Sequence, residues 1–155
     1  MSSLPLKHKI AKHYRRSKKD RLILLVVSDL DPAGDAIAED LVKSLQRDFR
    51  IHSVEAYKVA LTIDQVEDYN LEPSMEAKED SPTYQAFVDR YGITDAYELE
   101  ALDPADLQEI LTDAIEEVLD LEAYNAELEA ERQDAAQIIA VQQKVTEFLN
   151  SLQLT

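Results

Sequence analysis

Residues 4–18 place Leu6, Ile10, His13 and Tyr14 at i, i+4, i+7 and i+8, which predicts a short helix with one apolar side and a basic remainder. Leu22-Ile23-Leu24-Leu25-Val26-Val27 follows as six apolar residues without alternation. A run this short and this rich in branched side chains predicts a strand buried on both faces, as in a parallel sheet. It leads into Ser28-Asp29-Leu30-Asp31-Pro32-Ala33-Gly34, where Asp31 before Pro32 reads as an N-cap acid with proline at the first helical position. The predicted helix covers about 32–48, with Ala33, Ile37, Leu41 and Leu45 as its stripe and Ala38 and Val42 beside them. Residues 51–60 alternate as a second strand, so Leu22 to about Lys58 reads as a βαβ unit.

Beyond it, Thr62 caps a short helix over 62–69, and the polar segment 71–80 reads as a loop. Ser81-Pro82 opens a helix through Tyr91 that Gly92 ends. Tyr97-Glu98-Leu99-Glu100 reads as a third strand, and Asp103-Pro104 caps a helix over 104–119 with Leu107, Ile110, Leu111, Ala114, Ile115 and Val118 inward. Over about 120–152, alternate steps of three and four from Leu121 meet Tyr124, Leu128, Glu131, Ala135, Ile138, Gln142, Val145, Leu149 and Leu152, an almost continuous apolar stripe. It packs on its own domain, pairs with another chain to form a homo-oligomer, or meets a partner domain. The expected architecture is α/β: a small, mostly parallel sheet flanked by helices and followed by a long helical segment. Its expected divisions are a basic helix at 1–20, an α/β domain at 21–119, and a C-terminal helix or helical hairpin at 120–155.

The chain has no cysteine, which excludes disulfides, thiolate-bound zinc and thiol catalysis. Two glycines are too few for a Gly-rich phosphate loop. No apolar run approaches the roughly 20 residues of a membrane span, and residues 1–20 lack the apolar stretch of a secretory signal. No membrane association and a cytoplasmic location are expected. The formal charge is −16 and unevenly spread: residues 1–21 hold eight Lys/Arg against one acid, and the other 134 carry 8 basic and 31 acidic side chains. Such a body repels nucleic acid at long range, so approach to a phosphate backbone falls to the basic N-terminus or to bound divalent cations. Most of the acids are also explained as solvated helix faces.

The segment around Asp29 and Asp31 is the most informative. Residues i and i+2 of an extended chain project to one side, so the two carboxylates share a side at the carboxyl end of the first strand, the edge where open α/β sheets bind ligands. Paired carboxylates repel, and a divalent cation relieves that repulsion. Mg²⁺ suits the position because it takes hard oxygen ligands and is held by one or two carboxylates together with substrate phosphate. It would bring Lewis-acid chemistry to a phosphodiester. Taken singly, Asp31 is explained as an N-cap and Asp29 as a loop acid.

Strand–Asp-x-Asp-Pro-x-Gly–helix resembles the Toprim domain of topoisomerases, primases and some nucleases, and looks most like its topoisomerase VI A-subunit/Spo11 type. Tyr97-Glu98-Leu99-Glu100-Ala101-Leu102 is similar to the Glu-(Ile/Leu)-x-Ala-Leu element of that group, and Val59-Ala60-Leu61-Thr62 and Lys78-Glu79-Asp80-Ser81 look like loops of its bacterial members. The resemblance covers about 20–120. It implies Mg²⁺ on Asp29 and Asp31, with Glu100 as a further ligand, and action on DNA phosphodiesters as a topoisomerase or nuclease, within a larger protein. It also implies an earlier strand bearing a catalytic Glu, yet residues 1–21 contain no Glu, and a Tyr nucleophile on a winged-helix domain that does not precede this region. The chain is therefore expected to be the C-terminal part of a larger Toprim protein or a degenerate relative. The alternative function is an inactive Toprim-like module serving assembly.

Glu98 and Glu100 share a face of the expected third strand, with Glu98 read as facing solvent. Lys78 is either a phosphate contact or a solvated loop lysine. The basic N-terminal helix would contact DNA phosphates. His8, His13 and His52 do not have the spacing of a metal pair, and the seven tyrosines sit in ordinary contexts. A phosphoacceptor receiver would need a second acidic pair and a late lysine that have no place here.

Overall fold

In a computed structural model of the chain, residues 4–153 are described, with side chains through Ser151. The protein is a small mixed α/β fold with two two-stranded sheets, flanking helices and a long C-terminal helix. It divides into two compact units, one ending at Ile115 and the next beginning at Glu116.

In the first unit, α1 (Leu4–Ser17) precedes β1 (Leu22–Val27), and β2 (Val54–Ala60) pairs with β1 in parallel from Leu22↔Val54 to Val26↔Lys58. A register shift after Val26 then sets Val27 opposite Ala60. The crossover is α2 (Pro32–Asp35) and α3 (Ile37–Phe49) rather than one helix, with the break at Ala36. A core forms between this sheet and its helices from Ala11, Leu45, Ile51 and Val54, with Leu22 and Leu24 against it. Each such large side chain taken out of water contributes about 1.5–3 kcal/mol. Ala11 rather than the expected Leu6 and His13 is the buried point of α1; those two are exposed, because the small alanine lets the helix approach α3. In β1, expected buried on both faces, only Val26 is buried, since both strands of a two-stranded sheet are edges.

The second core lies under α4 (Ile63–Asp68), α5 (Tyr84–Tyr91) and α6 (Pro104–Val118), and contains Leu30, Leu61, Val66, Ala77, Phe87, Ala96 and Leu102. Thr62 caps α4 as the sequence predicts, and the Gln65 side chain returns a hydrogen bond by accepting from Thr62 N–H. The expected loop 71–80 contains β3 (Met75–Glu76), which pairs antiparallel with β4 (Asp95–Ala96). The third strand expected at 97–100 is not formed: Tyr97 makes a single bridge to Leu30, and Leu99–Ala101 turn as a 3₁₀ helix. The parallel sheet is thus confined to β1 and β2. Helix α5 begins at Tyr84, because Ser81 and Pro82 are used in the turn before it, and Gly92 closes it at φ 71°. Ile115 and Val118, expected inward on α6, are exposed.

The second unit contains α7 (Leu121–Gln153), a single helix of 33 residues rather than a hairpin. The Leu152 side chain lies outside the described residues. Among the described residues no helix is long and apolar enough to cross a membrane.

Candidate functional site

The chain stays extended past the end of β1. Ser28 N–H donates to the Ala60 carbonyl at 2.8 Å, and Leu61 N–H donates back to the Ser28 carbonyl at 2.7 Å. Leu30 then exchanges backbone hydrogen bonds with Tyr97 at 2.9 and 3.0 Å, and its side chain is completely buried. An apolar residue pinned inward in extended backbone turns both of its neighbours the other way. Asp29 and Asp31 accordingly line one cavity of about 280 Å³.

Each carboxylate has one oxygen engaged by the backbone. Asp29 Oδ1 accepts from Leu99 N–H at 2.8 Å. Asp31, at φ −142° and ψ 169°, is the N-cap of α2, and its Oδ1 accepts from Gly34 N–H at 2.5 Å. Among the described residues, the second oxygen of each has no hydrogen-bond partner in the protein. Gly34 is required by proximity: a Cβ there would collide with the Asp29 carbonyl and lie 3.0 Å from Asp31 Oδ1. Ser28 Oγ donates to the Gly34 carbonyl at 3.0 Å and ties the strand end to the start of the helix.

The opposite wall comes from a distant stretch of sequence: Glu76 on β3, Lys78 and Ser81 in the following loop, and Tyr97 and Glu98 after β4. The lining therefore carries four acids and one lysine. Glu98 lines the cavity, whereas Glu100, the expected further ligand, is exposed in the 3₁₀ turn and does not. Among the described residues, no group of three or more His, Asp or Glu converges as a ready metal cage. The oxygen chemistry of the Asp29–Asp31 pair still suits Mg²⁺, which keeps several waters and takes one or two carboxylates.

Lys58 was not singled out from sequence. Its Nζ donates to the Asp29 carbonyl at 2.8 Å. Burial pushes the ammonium below the ordinary lysine value, while Asp35, Asp31 and Asp29 pull it back. The signal was available: Val54, Ala56 and Lys58 occupy one face of β2, opposite Leu22, Leu24 and Val26, so the lysine stands in an apolar register. Asp35 points elsewhere, accepting from Tyr91 OH at 2.6 Å and from Arg90 at 2.8 Å, which holds α5 against α2. Burial and then Asp35 push the Tyr91 phenol above its usual value.

The three histidines are exposed and lie apart from the cavity lining, His8 with its ring edge-on to Phe49 at 6.2 Å. No model of a known protein family matches the chain, and neither a curated protein nor a solved structure does so.

Proposed function

We propose that the cavity holds Mg²⁺ on Asp29 and Asp31 and acts on a DNA phosphodiester, as a Toprim-like domain of topoisomerase or nuclease type. The observation that carries this reading is the pair of carboxylates, Asp29 and Asp31, each with one oxygen that has no hydrogen-bond partner among the described residues, lining one cavity together with Lys78 and Ser81. The ion would supply charge neutralisation and Lewis acidity at a phosphate. Lys78 would bind phosphate oxygens, and Glu98 would stand by as an oxygen ligand or proton acceptor. The outward residues of α1, among them Lys9, Lys12 and Arg16, would contact the DNA backbone and make binding salt-dependent.

The test is Mn²⁺ or Mg²⁺ titration of the wild type against Asp29→Asn and Asp31→Asn. Asparagine keeps a cap and a hydrogen-bond acceptor while removing the charge. Weakened binding in both variants is expected, and equal affinities in all three proteins would end the metal reading. Divalent-dependent nicking of supercoiled DNA, abolished in both variants, tests the reaction.

A second reading is a catalytically inactive module of the same kind serving assembly. Lys58 favours it, because an ammonium already stands among the aspartates and competes with a cation for their field. A folded wild type that neither nicks DNA nor binds divalent cations more tightly than the asparagine variants would select this reading.

A further inference from the structure

Helix α7 carries its apolar stripe unburied: Tyr124 is 49%, Ile138 59%, Val145 51% and Leu149 54% exposed. The 3–4 spacing of this stripe is that of a coiled-coil seam, so the surface complementary to it is another helix. Its composition selects which helix. Two polar residues interrupt the seam, Glu131 and Gln142, and they lie symmetrically about the point between Ala136 and Gln137. Laid antiparallel on a second copy about that point, Tyr124 meets Leu149, Leu128 meets Val145, and the small Ala135 meets the large Ile138. Glu131 then meets Gln142, so the two interruptions fall in one layer, where the amide N–H donates to the carboxylate.

The parallel arrangement is worse at two of these points. It sets Glu131 against Glu131, two like charges in a desolvated layer, and leaves Ala135 facing Ala135 across a gap. What it gains is a flanking ion pair between Glu127 and Arg132, and an exposed pair of that kind contributes little. Charge along the helix points the same way. Glu122, Glu127, Glu129, Glu131 and Asp134 stand against Arg132 in the first half, while Lys144 and Glu147 balance in the second. An antiparallel partner lays the acidic half on the neutral one; a parallel partner stacks acid on acid.

We infer that the chain forms a two-fold symmetric antiparallel homodimer through α7, with Glu131 of each copy hydrogen-bonded to Gln142 of the other. This does not depend on the metal site. The chain has no native cysteine, so introduced thiols report alone. Sedimentation of the wild type across a hundredfold concentration range should show a dimer. An oxidised equimolar mixture of Glu131→Cys and Gln142→Cys should cross-link at least tenfold faster than either variant alone. In the antiparallel pairing, two copies of position 131 are about 16 Å apart along the axis, beyond disulfide reach. A wild type that stays monomeric overturns the inference. Cross-linking of Glu131→Cys alone at the rate of the mixture overturns the antiparallel register and indicates the parallel one.

Discussion

Gly34→Ala is a severe test of how the candidate site is held. In an ordinary helix the change is favourable, by about 0.8–1.0 kcal/mol. Here the new methyl has no room. It would collide with the Asp29 carbonyl, which is also the acceptor of the Lys58 ammonium, and crowd Asp31 Oδ1 at 3.0 Å, the atom that Gly34 N–H itself caps. Both neighbours are held by other bonds, Asp29 through Leu99 N–H and Asp31 by the start of α2. Overpacking of fixed neighbours costs about 1–3 kcal/mol; a collision with backbone takes the upper part of that range, about 2–3 kcal/mol, so after the helix gain the net loss is about 1–2 kcal/mol. In a chain of this size that lowers Tm by roughly 2–8 °C.

Gly92→Ala separates this cause from glycine's conformational freedom. A methyl at Gly92 has nothing within 4 Å, and its difficulty is φ 71° alone. It should lose about 1 kcal/mol with divalent affinity unchanged, while Gly34→Ala loses stability and affinity together, because the two carboxylates are pushed apart. Thermal unfolding by circular dichroism and Mn²⁺ titration read the two effects. A Gly34→Ala protein as stable as the wild type, or more so, would refute the close approach of strand end and helix start.

Three further outcomes are expected. Lys58→Met should bind divalent cations more tightly, since it removes a competing positive charge; and because burial sets the folded lysine below its ordinary value, the unfolded state binds more protons as pH rises toward that value, so the stability of the wild type relative to the variant should climb with pH, and a flat or falling difference in urea midpoints across the alkaline range would contradict it. Arg50 ends α3 at φ 56° and ψ 36°, a left-handed conformation that suits glycine, so Arg50→Gly should raise stability by about 1 kcal/mol, checked as an increase in Tm. Glu55 is held at about 2 by hydrogen bonds from Arg21 and Tyr57, so its contribution is complete above 4.5 and lost as pH falls toward 2; the Tm difference between wild type and Glu55→Gln should be small, shrink over that window and weaken in salt.

The division between what local pattern revealed and what it concealed follows the range of the interactions. β1, the cap at Asp31-Pro32, the cap at Thr62, and the start of α6 behind Asp103 are settled within four or five residues, and each is legible in the sequence. The break at Ala36 is not, because it follows from the Ser28 hydroxyl donating to the Gly34 carbonyl, outside the helical pattern itself. β3 reads as loop in the sequence because two exposed residues leave no periodicity; pairing with Asp95 and Ala96, about twenty positions away, makes them a strand.

The candidate site divides along the same line. The Asp-x-Asp wall is local, whereas the far wall is set by the bridge from Leu30 to Tyr97 and by the amide of Leu99 on Asp29, contacts spanning 67 and 70 positions. That bridge also explains why Glu98 lines the cavity and Glu100 does not. Tyr97 is fixed against Leu30, Glu98 is the next extended residue, and the 3₁₀ turn that starts at Leu99 carries Glu100 away. A strand over 97–100 would have put Glu98 and Glu100 on one side; the turn separates them because Leu99 N–H bonds to Asp29 instead of to a neighbouring strand. The same aspartate therefore shapes both walls, and loss of its hydrogen-bond acceptor should release Glu98 from the cavity. Asp29→Ala should consequently disturb the amide resonances of 97–101, and Asp29→Asn should leave them in place. If both variants left that segment unchanged, the Asp29–Leu99 contact would not be what positions it.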